Sequence, residues 1–296
     1  MKRQQSIQPK HLKTYFHVIF ITVFLGLLGA CSTEKEYLVT FHTPYGDMKA
    51  ILYDATPEHK ENFLELARSG KYDSTTFHRV IQDFMIQGGD LSTGPSYDSE
   101  EDTVDYTIPA EFVDTLFHKK GALAAARQGD QFNPERASSG SQFYIVQGSV
   151  YEEDELLTDI NKLSKGMQEL LRNGGYDSLG EELVGIYQSG DYQAYTQRMI
   201  ELKPLVEEEL NIDVDKKYPR ERLEAYTTIG GAPHLDDTYT VFGEVIEGLE
   251  VIDSIAAQAV GQTDKPLSDI HLTVEVKEMP KRKISKEYGY QFRSEQ

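Results

Sequence analysis

Thr76-Phe77-His78-Arg79-Val80-Ile81-Gln82-Asp83-Phe84-Met85-Ile86-Gln87-Gly88-Gly89-Asp90 sets Arg79 and Gln87 among aromatic and aliphatic residues, with no serine or cysteine nucleophile in the run. That inventory suits a site that holds a neutral, apolar group and polarises it with a fixed cation. Arginine fits such a task because its guanidinium stays charged and presents a rigid fork of donors. A second block lies further on, Gly140-Ser141-Gln142-Phe143-Tyr144-Ile145-Val146. It again combines a polar amide, Gln142, with a large aromatic ring, Tyr144.

Both blocks resemble signatures of the cyclophilins, the peptidyl-prolyl cis-trans isomerases, and they occur in that family's order. The resemblance covers about residues 37–150 and 227–279. It implies a reaction in which no bond is cleaved. An X-Pro amide isomerises slowly because resonance gives its C–N bond double-bond character, with a barrier of roughly 18–20 kcal/mol. As the bond twists, the prolyl nitrogen gains a lone pair. A donor aimed at that nitrogen binds the twisted state better than either planar state, which is what catalysis requires. The chemistry needs no cofactor and no metal.

Matched position by position, the resemblance makes Arg79 the catalytic arginine and Gln87 its companion glutamine. Phe84, Met85 and Tyr144 then supply the dry socket for the proline ring. In Gly121-Ala122-Leu123-Ala124-Ala125-Ala126-Arg127, Ala126 matches the small residue of the substrate groove. Arg127 stands where the family usually has asparagine, at a position that meets the peptide mainly through its backbone. Gln142 matches the groove glutamine. In His234-Leu235-Asp236-Asp237-Thr238-Tyr239-Thr240-Val241-Phe242-Gly243, His234 replaces the family's tryptophan, Leu235 is retained, and Tyr239 replaces a histidine. Loss of that tryptophan implies weak binding of cyclosporin-type ligands.

The chain has 296 residues, 30 Lys and Arg against 49 Asp and Glu, and a formal charge of −19. Its first thirty residues carry Lys2, Arg3, Lys10 and Lys13 and no acid; without them the balance is 26 to 49, or −23. A surface that acidic disfavours nucleic acid, whose phosphates need Lys and Arg. Basic residues up to Lys13 precede the apolar run Val18–Leu28 and then Gly29-Ala30-Cys31. The run is short for a span, which needs ~20 apolar residues, but it suits a signal-peptide core. Leu28-Gly29-Ala30-Cys31 resembles the lipobox of bacterial lipoproteins, in which the cysteine is acylated. Cys31 is also the one cysteine in the chain. These features predict an extracytoplasmic protein held to a lipid membrane through Cys31.

Alternation predicts strands at 37–43, 48–53, 76–81, 85–87, 121–126, 142–147, 239–245 and 270–278. Helical spacing predicts one helix from Pro57 to Arg68, with Thr56 as its N-cap, and another over 248–258. Many short strands with two helices indicate a mainly β fold. With the resemblance, they predict a closed antiparallel eight-stranded barrel capped by two helices, carrying an inserted α-helical subdomain. The predicted organisation is a signal peptide (1–30), a lipidated tether (31–36), the barrel (37–149 and 227–279), the helical insert (150–226) and a tail (280–296). Apolar stripes in the insert predict a helix over 156–171 ended by Gly174-Gly175, then helices at 179–187, 192–202, 205–210 and 220–226. Between 151 and 226 there are 18 acidic and 9 basic residues. Because it leaves the barrel near Tyr144 and rejoins it near His234, the insert is expected to border the groove.

The function that follows is peptidyl-prolyl isomerisation on X-Pro bonds of exported or envelope proteins. The rival is a cyclophilin-like module that binds proline-containing polypeptides with little turnover, using the helical insert to recognise partners.

Overall fold

The computed structural model describes residues 34–95, 97–99 and 103–292. Predicted features at residues 1–33, including Cys31, lie outside the described residues. The described residues divide into two compact units, 37–277 and the flanking 34–36 with 278–292. In the second unit, Lys35 Nζ donates to Glu278 at 2.7 Å and the Lys281 amide donates to the Glu34 carbonyl at 2.8 Å.

The strands are β1 (Lys35–Thr43), β2 (Gly46–Leu52), β3 (Thr75–Thr76), β4 (Arg79–Ile81), β5 (Met85–Gly88), β6 (Thr107–Ile108), β7 (Ala122–Ala125), β8 (Ser138–Ser139), β9 (Phe143–Val146), β10 (Val241–Glu247) and β11 (His271–Pro280). Nine of them form one sheet in the order β3-β11-β1-β2-β10-β7-β9-β5-β4, and β6 pairs with β8. The closed eight-stranded barrel of the sequence analysis is therefore corrected to a curled, mostly antiparallel nine-stranded sheet. The extra strand arises where the predicted strand 76–81 breaks. Thr76 pairs with His271 on β11, and Arg79 pairs with Gln87 on β5. Between them, the Phe77 amide donates to the Ile270 carbonyl at 2.9 Å and the His78 amide to the Gln87 carbonyl at 3.0 Å. The two outermost strands are thus joined by the dipeptide Phe77-His78, so the chain itself, rather than a β-ladder, bridges the sheet's edges.

The helices are α1 (Pro57–Arg68), α2 (Glu153–Leu156), α3 (Ile160–Asn173), α4 (Asp177–Gln188), α5 (Tyr192–Glu201), α6 (Lys203–Leu210), α7 (Arg220–Thr228), α8 (Leu249–Ala256) and α9 (Lys281–Tyr288). α1 and α8 bury Phe63, Leu64, Leu66, Ala67, Val251, Ile252, Ile255 and Ala256 in the main core with Val39, Phe41, Leu123 and Ile145. Each such large side chain removed from water contributes about 1.5–3 kcal/mol. Thr56 makes no side-chain cap to α1. The Glu111 carboxylate takes that role, accepting the Glu58 and His59 amides at 3.2 and 3.0 Å. An anion placed there also complements the helix dipole.

The helix predicted over 156–171 is two pieces, α2 and α3, because Asp159 breaks it and caps the second by accepting the Lys162 amide at 2.9 Å. Helices α3–α6 enclose their own cluster of Leu163, Met167, Leu170, Leu183, Met199, Leu202, Val206 and Val214. The segment predicted as a plain tail contains α9, which ends at Gly289 with φ +71°. Among the described residues no helix is long and apolar enough to cross a membrane.

Candidate active site

Strand register assembles the site. Arg79 on β4 is opposite Gln87 on β5, Gln87 is opposite Tyr144 on β9, and Tyr144 is opposite Ala124 on β7. Side chains alternate along a strand, so this row shares one face of the sheet. The adjacent row, Val80, Ile86, Ile145 and Leu123, points the other way into the main core. Met85, Tyr144 and Leu235 sit in a second apolar cluster on the first face, with Phe84, Ala126 and Tyr239 packed against it. A 3-10 turn, Pro233–Leu235, places the His234 ring 5.2 Å from Phe84.

Arg79 is 43% exposed, and its Nε donates to Asp264 Oδ2 at 3.4 Å. Among the described residues no hydrogen bond engages its terminal amino groups, which leaves the guanidinium fork for a ligand. Gln87 Nε2 donates to Gln142 Oε1 at 3.0 Å. That bond fixes both amides at the wall of a cavity of about 520 Å³, lined also by Ala126, Arg127, Asp105 and Tyr106. Of the expected site residues, Gln87, Ala126, Arg127 and Gln142 line this cavity. Arg79, Phe84, Met85, Tyr144, His234, Leu235 and Tyr239 do not. No residue of 150–226 lines it either, so the insert does not form a wall of this cavity.

Arg127 differs from a groove residue in its side chain, which is only 4% exposed. Its Nε donates to the Thr238 carbonyl at 2.8 Å, and its guanidinium lies 4.3 Å from the centre of the Tyr239 ring. Tyr239 in turn meets the Tyr144 ring edge-on at 6.0 Å. Arg127 thus braces the aromatic socket and leaves its backbone at the cavity.

His118 was not singled out from the sequence. It is fully buried, stacks on Tyr144 at 6.0 Å, and places Nε2 at 2.9 Å from the Tyr144 hydroxyl. Its Nδ1 lies 3.0 Å from Asp236 Oδ1. Burial pulls the imidazole below its ordinary pKa, against the opposing hydrogen bond to Asp236. A neutral ring has one donor nitrogen and one acceptor nitrogen. Because the carboxylate can only accept, Nδ1–H donates to Asp236 and Nε2 accepts the Tyr144 hydroxyl. Burial holds that hydroxyl protonated, well above the ordinary phenol range. Asp264 and Asp236 were also missed as site partners. Their signal, an acid far away in sequence, is visible only once the chain is folded.

A second buried histidine has hydroxyl–imidazole–carboxylate order. His59 lies 2.8 Å from Ser138 Oγ and 2.6 Å from Glu111 Oε2. Ser138 is 1% and His59 2% exposed, so no substrate carbonyl reaches the hydroxyl, and the trio serves the start of α1.

Residues 38–173 and 220–276 match the family model "Cyclophilin type peptidyl-prolyl cis-trans isomerase/CLD". A protein of Staphylococcus saprophyticus named as a provisional peptidyl-prolyl cis-trans isomerase is 32% identical over 238 residues, covering 80% of this chain and 89% of that protein. A relative in Staphylococcus aureus (strain USA300), named in the same way, is 32% identical over 239 residues, with 80% and 89% covered. A crystal structure of a Cryptosporidium parvum cyclophilin type peptidyl-prolyl cis-trans isomerase aligns with TM-score 0.47 and 19% identity, covering 82% of this chain and 98% of that one. By its family match and its relatives, the chain belongs to the cyclophilin-type peptidyl-prolyl cis-trans isomerases.

Proposed function

We propose that the protein isomerises X-Pro bonds of extracytoplasmic polypeptides while anchored to a membrane through acylated Cys31. The observation that carries the catalytic part is the Arg79–Gln87–Tyr144 row. One register sets an available guanidinium beside an amide wall and an apolar socket. A proline ring seated against Phe84, Met85 and Leu235 brings its nitrogen toward Arg79, whose donors meet the lone pair that appears only as the amide twists. Exclusion of water in the socket strengthens that hydrogen bond. Each ~1.4 kcal/mol gained in the twisted state is a tenfold gain in rate. The domain organisation is proposed as before, with 37–149 and 227–279 as the catalytic part and 150–226 as an insert. The apolar run ending at Leu28-Gly29-Ala30-Cys31 supports the anchor.

The test is a proline-peptide isomerisation assay on protein lacking residues 1–31. Turnover that saturates with peptide supports the enzyme. Saturable peptide binding with no rate enhancement replaces it with the binding-module reading.

A further inference from the structure

Resting on the isomerase reading, we propose that α7, the helix returning the chain from the insert, positions the proline socket through a buried relay that runs Tyr226 and Arg222, Asp236, His118, Tyr144. Tyr226 is fully buried, and its hydroxyl donates to the Asp236 carboxylate, with both oxygens at 2.8 Å. Arg222 Nη1 donates to Asp236 Oδ2 at 3.2 Å, and its Nη2 donates to Asp237 Oδ1 at 2.9 Å and to the Asp114 carbonyl at 2.8 Å. Asp236 Oδ1 also accepts the His118 backbone amide at 2.9 Å. Asp236 is therefore gripped from α7 on one side and orients the His118 ring on the other. His118 has one remaining ring nitrogen, and it holds the Tyr144 hydroxyl at 2.9 Å.

The side chains of His118 and Asp236 are 1% and 5% exposed, so bulk water does not reach them. A buried carboxylate deprived of one donor is costly, and the group relaxes toward another partner. Any such shift rotates His118 and tilts Tyr144, a wall of the socket. α7 then acts on the site from behind, through geometry, and contributes nothing to the lining of the cavity beside Gln87 and Gln142. Tyr226 and Arg222 are positioning residues, since both are buried and neither lines the cavity.

The experiment uses the full-length protein with Tyr226→Phe, Tyr144→Phe and the double variant. Each change removes one oxygen and keeps the ring, so a lower melting temperature is expected from the lost buried hydrogen bond, and near-ultraviolet circular dichroism verifies that the packing survives. A socket defect weakens substrate and twisted state alike, so Tyr226→Phe should raise KM about three- to tenfold with kcat changed less than about twofold. In the Tyr144→Phe background the same change should alter KM less than about 1.5-fold, because the last link is gone. An equal effect in both backgrounds overturns the relay, as does a lower melting temperature with unchanged KM. Nitrogen-15 spectra of the His118 ring supply a readout free of turnover. A neutral Nδ1–H tautomer whose Nε2 signal moves on Tyr226→Phe supports the relay, and an unmoved signal overturns it. Absence of turnover in the unmodified protein removes the isomerase reading alone, since the ring spectra still decide the relay.

Discussion

Arg79 and Asp264 meet across 185 positions of chain, with Arg79 Nε donating to Asp264 Oδ2 at 3.4 Å. Asp264 is held in place by its own carbonyl, which accepts the Val80 amide at 2.8 Å, and by a left-handed backbone at φ +59°. Both side chains are more than a third exposed, at 43% and 42%. Such a pair adds only about 0–1 kcal/mol of stability. Its consequence is orientation, because it engages Nε while no hydrogen bond among the described residues takes the terminal amino groups.

Arg79→Ala should cut turnover at least about tenfold, the loss of one transition-state hydrogen bond, while the melting temperature stays near that of the unmodified protein. Arg79→Lys should rescue poorly, because a point charge lacks the fork. Wild-type turnover in a folded Arg79→Ala protein would remove the mechanism.

His234→Trp should tighten a cyclosporin-type ligand and alter peptide turnover much less. The His234 ring already lies 5.2 Å from Phe84, so an indole placed there extends the same apolar wall. Calorimetry on both proteins checks it; tight binding by the unmodified chain contradicts it.

Stability should fall on acidification below about pH 6.5. Burial lowers the pKa of His59, His78, His118 and His234. The unfolded chain then binds more protons than the native one, so stability is full above the unfolded value and is lost as pH falls through the native ones. His42 has the opposite sign, raised by its hydrogen bond to Asp47, but it sits on the surface and contributes less. Urea unfolding at pH 7.5 and 5.5 reads the difference. A higher midpoint at pH 5.5 would refute the linkage.

Gly231→Ala should destabilise by ~1–3 kcal/mol, the usual cost of overpacking. A Cβ there would stand 2.3 Å from the His118 carbonyl and 2.4 Å from the Tyr226 ring. The first neighbour is backbone and the second a fully buried ring, and Gly231 is itself bridged to Lys119 and Ser149, so the crossing of the chain must shift to admit the methyl group. Thermal melts of the variant check it, and an unchanged midpoint would show that the crossing can open.

Cys31→Ser should abolish acyl labelling and leave the protein unprocessed or released. The chain has no other cysteine to carry a thioether. Metabolic labelling with a radioactive fatty acid measures it; undiminished labelling rules the lipobox out.

Local periodicity was sufficient to reveal most elements. The alternation of Val39 and Phe41, and the spacing of Phe63, Leu64 and Ala67, announce a half-buried strand and an amphipathic helix because each pattern is written within one or two turns of chain. The two signature blocks likewise made Arg79, Gln87, Gln142 and Tyr144 candidates, since neighbours in a block stay neighbours on a strand. The break of 76–81 was not legible, because Thr76 and Arg79 have good strand residues around them and only the positions of β11 and β5 pull them to different edges. Nor was the bond from His118 to Asp236, 118 positions away, or that from Arg222 to the same carboxylate. Burial makes such polar groups find partners, but it does not specify which ones. The path of the backbone decides that, and it decided here that the socket's Tyr144 is held by a histidine whose own position depends on α7.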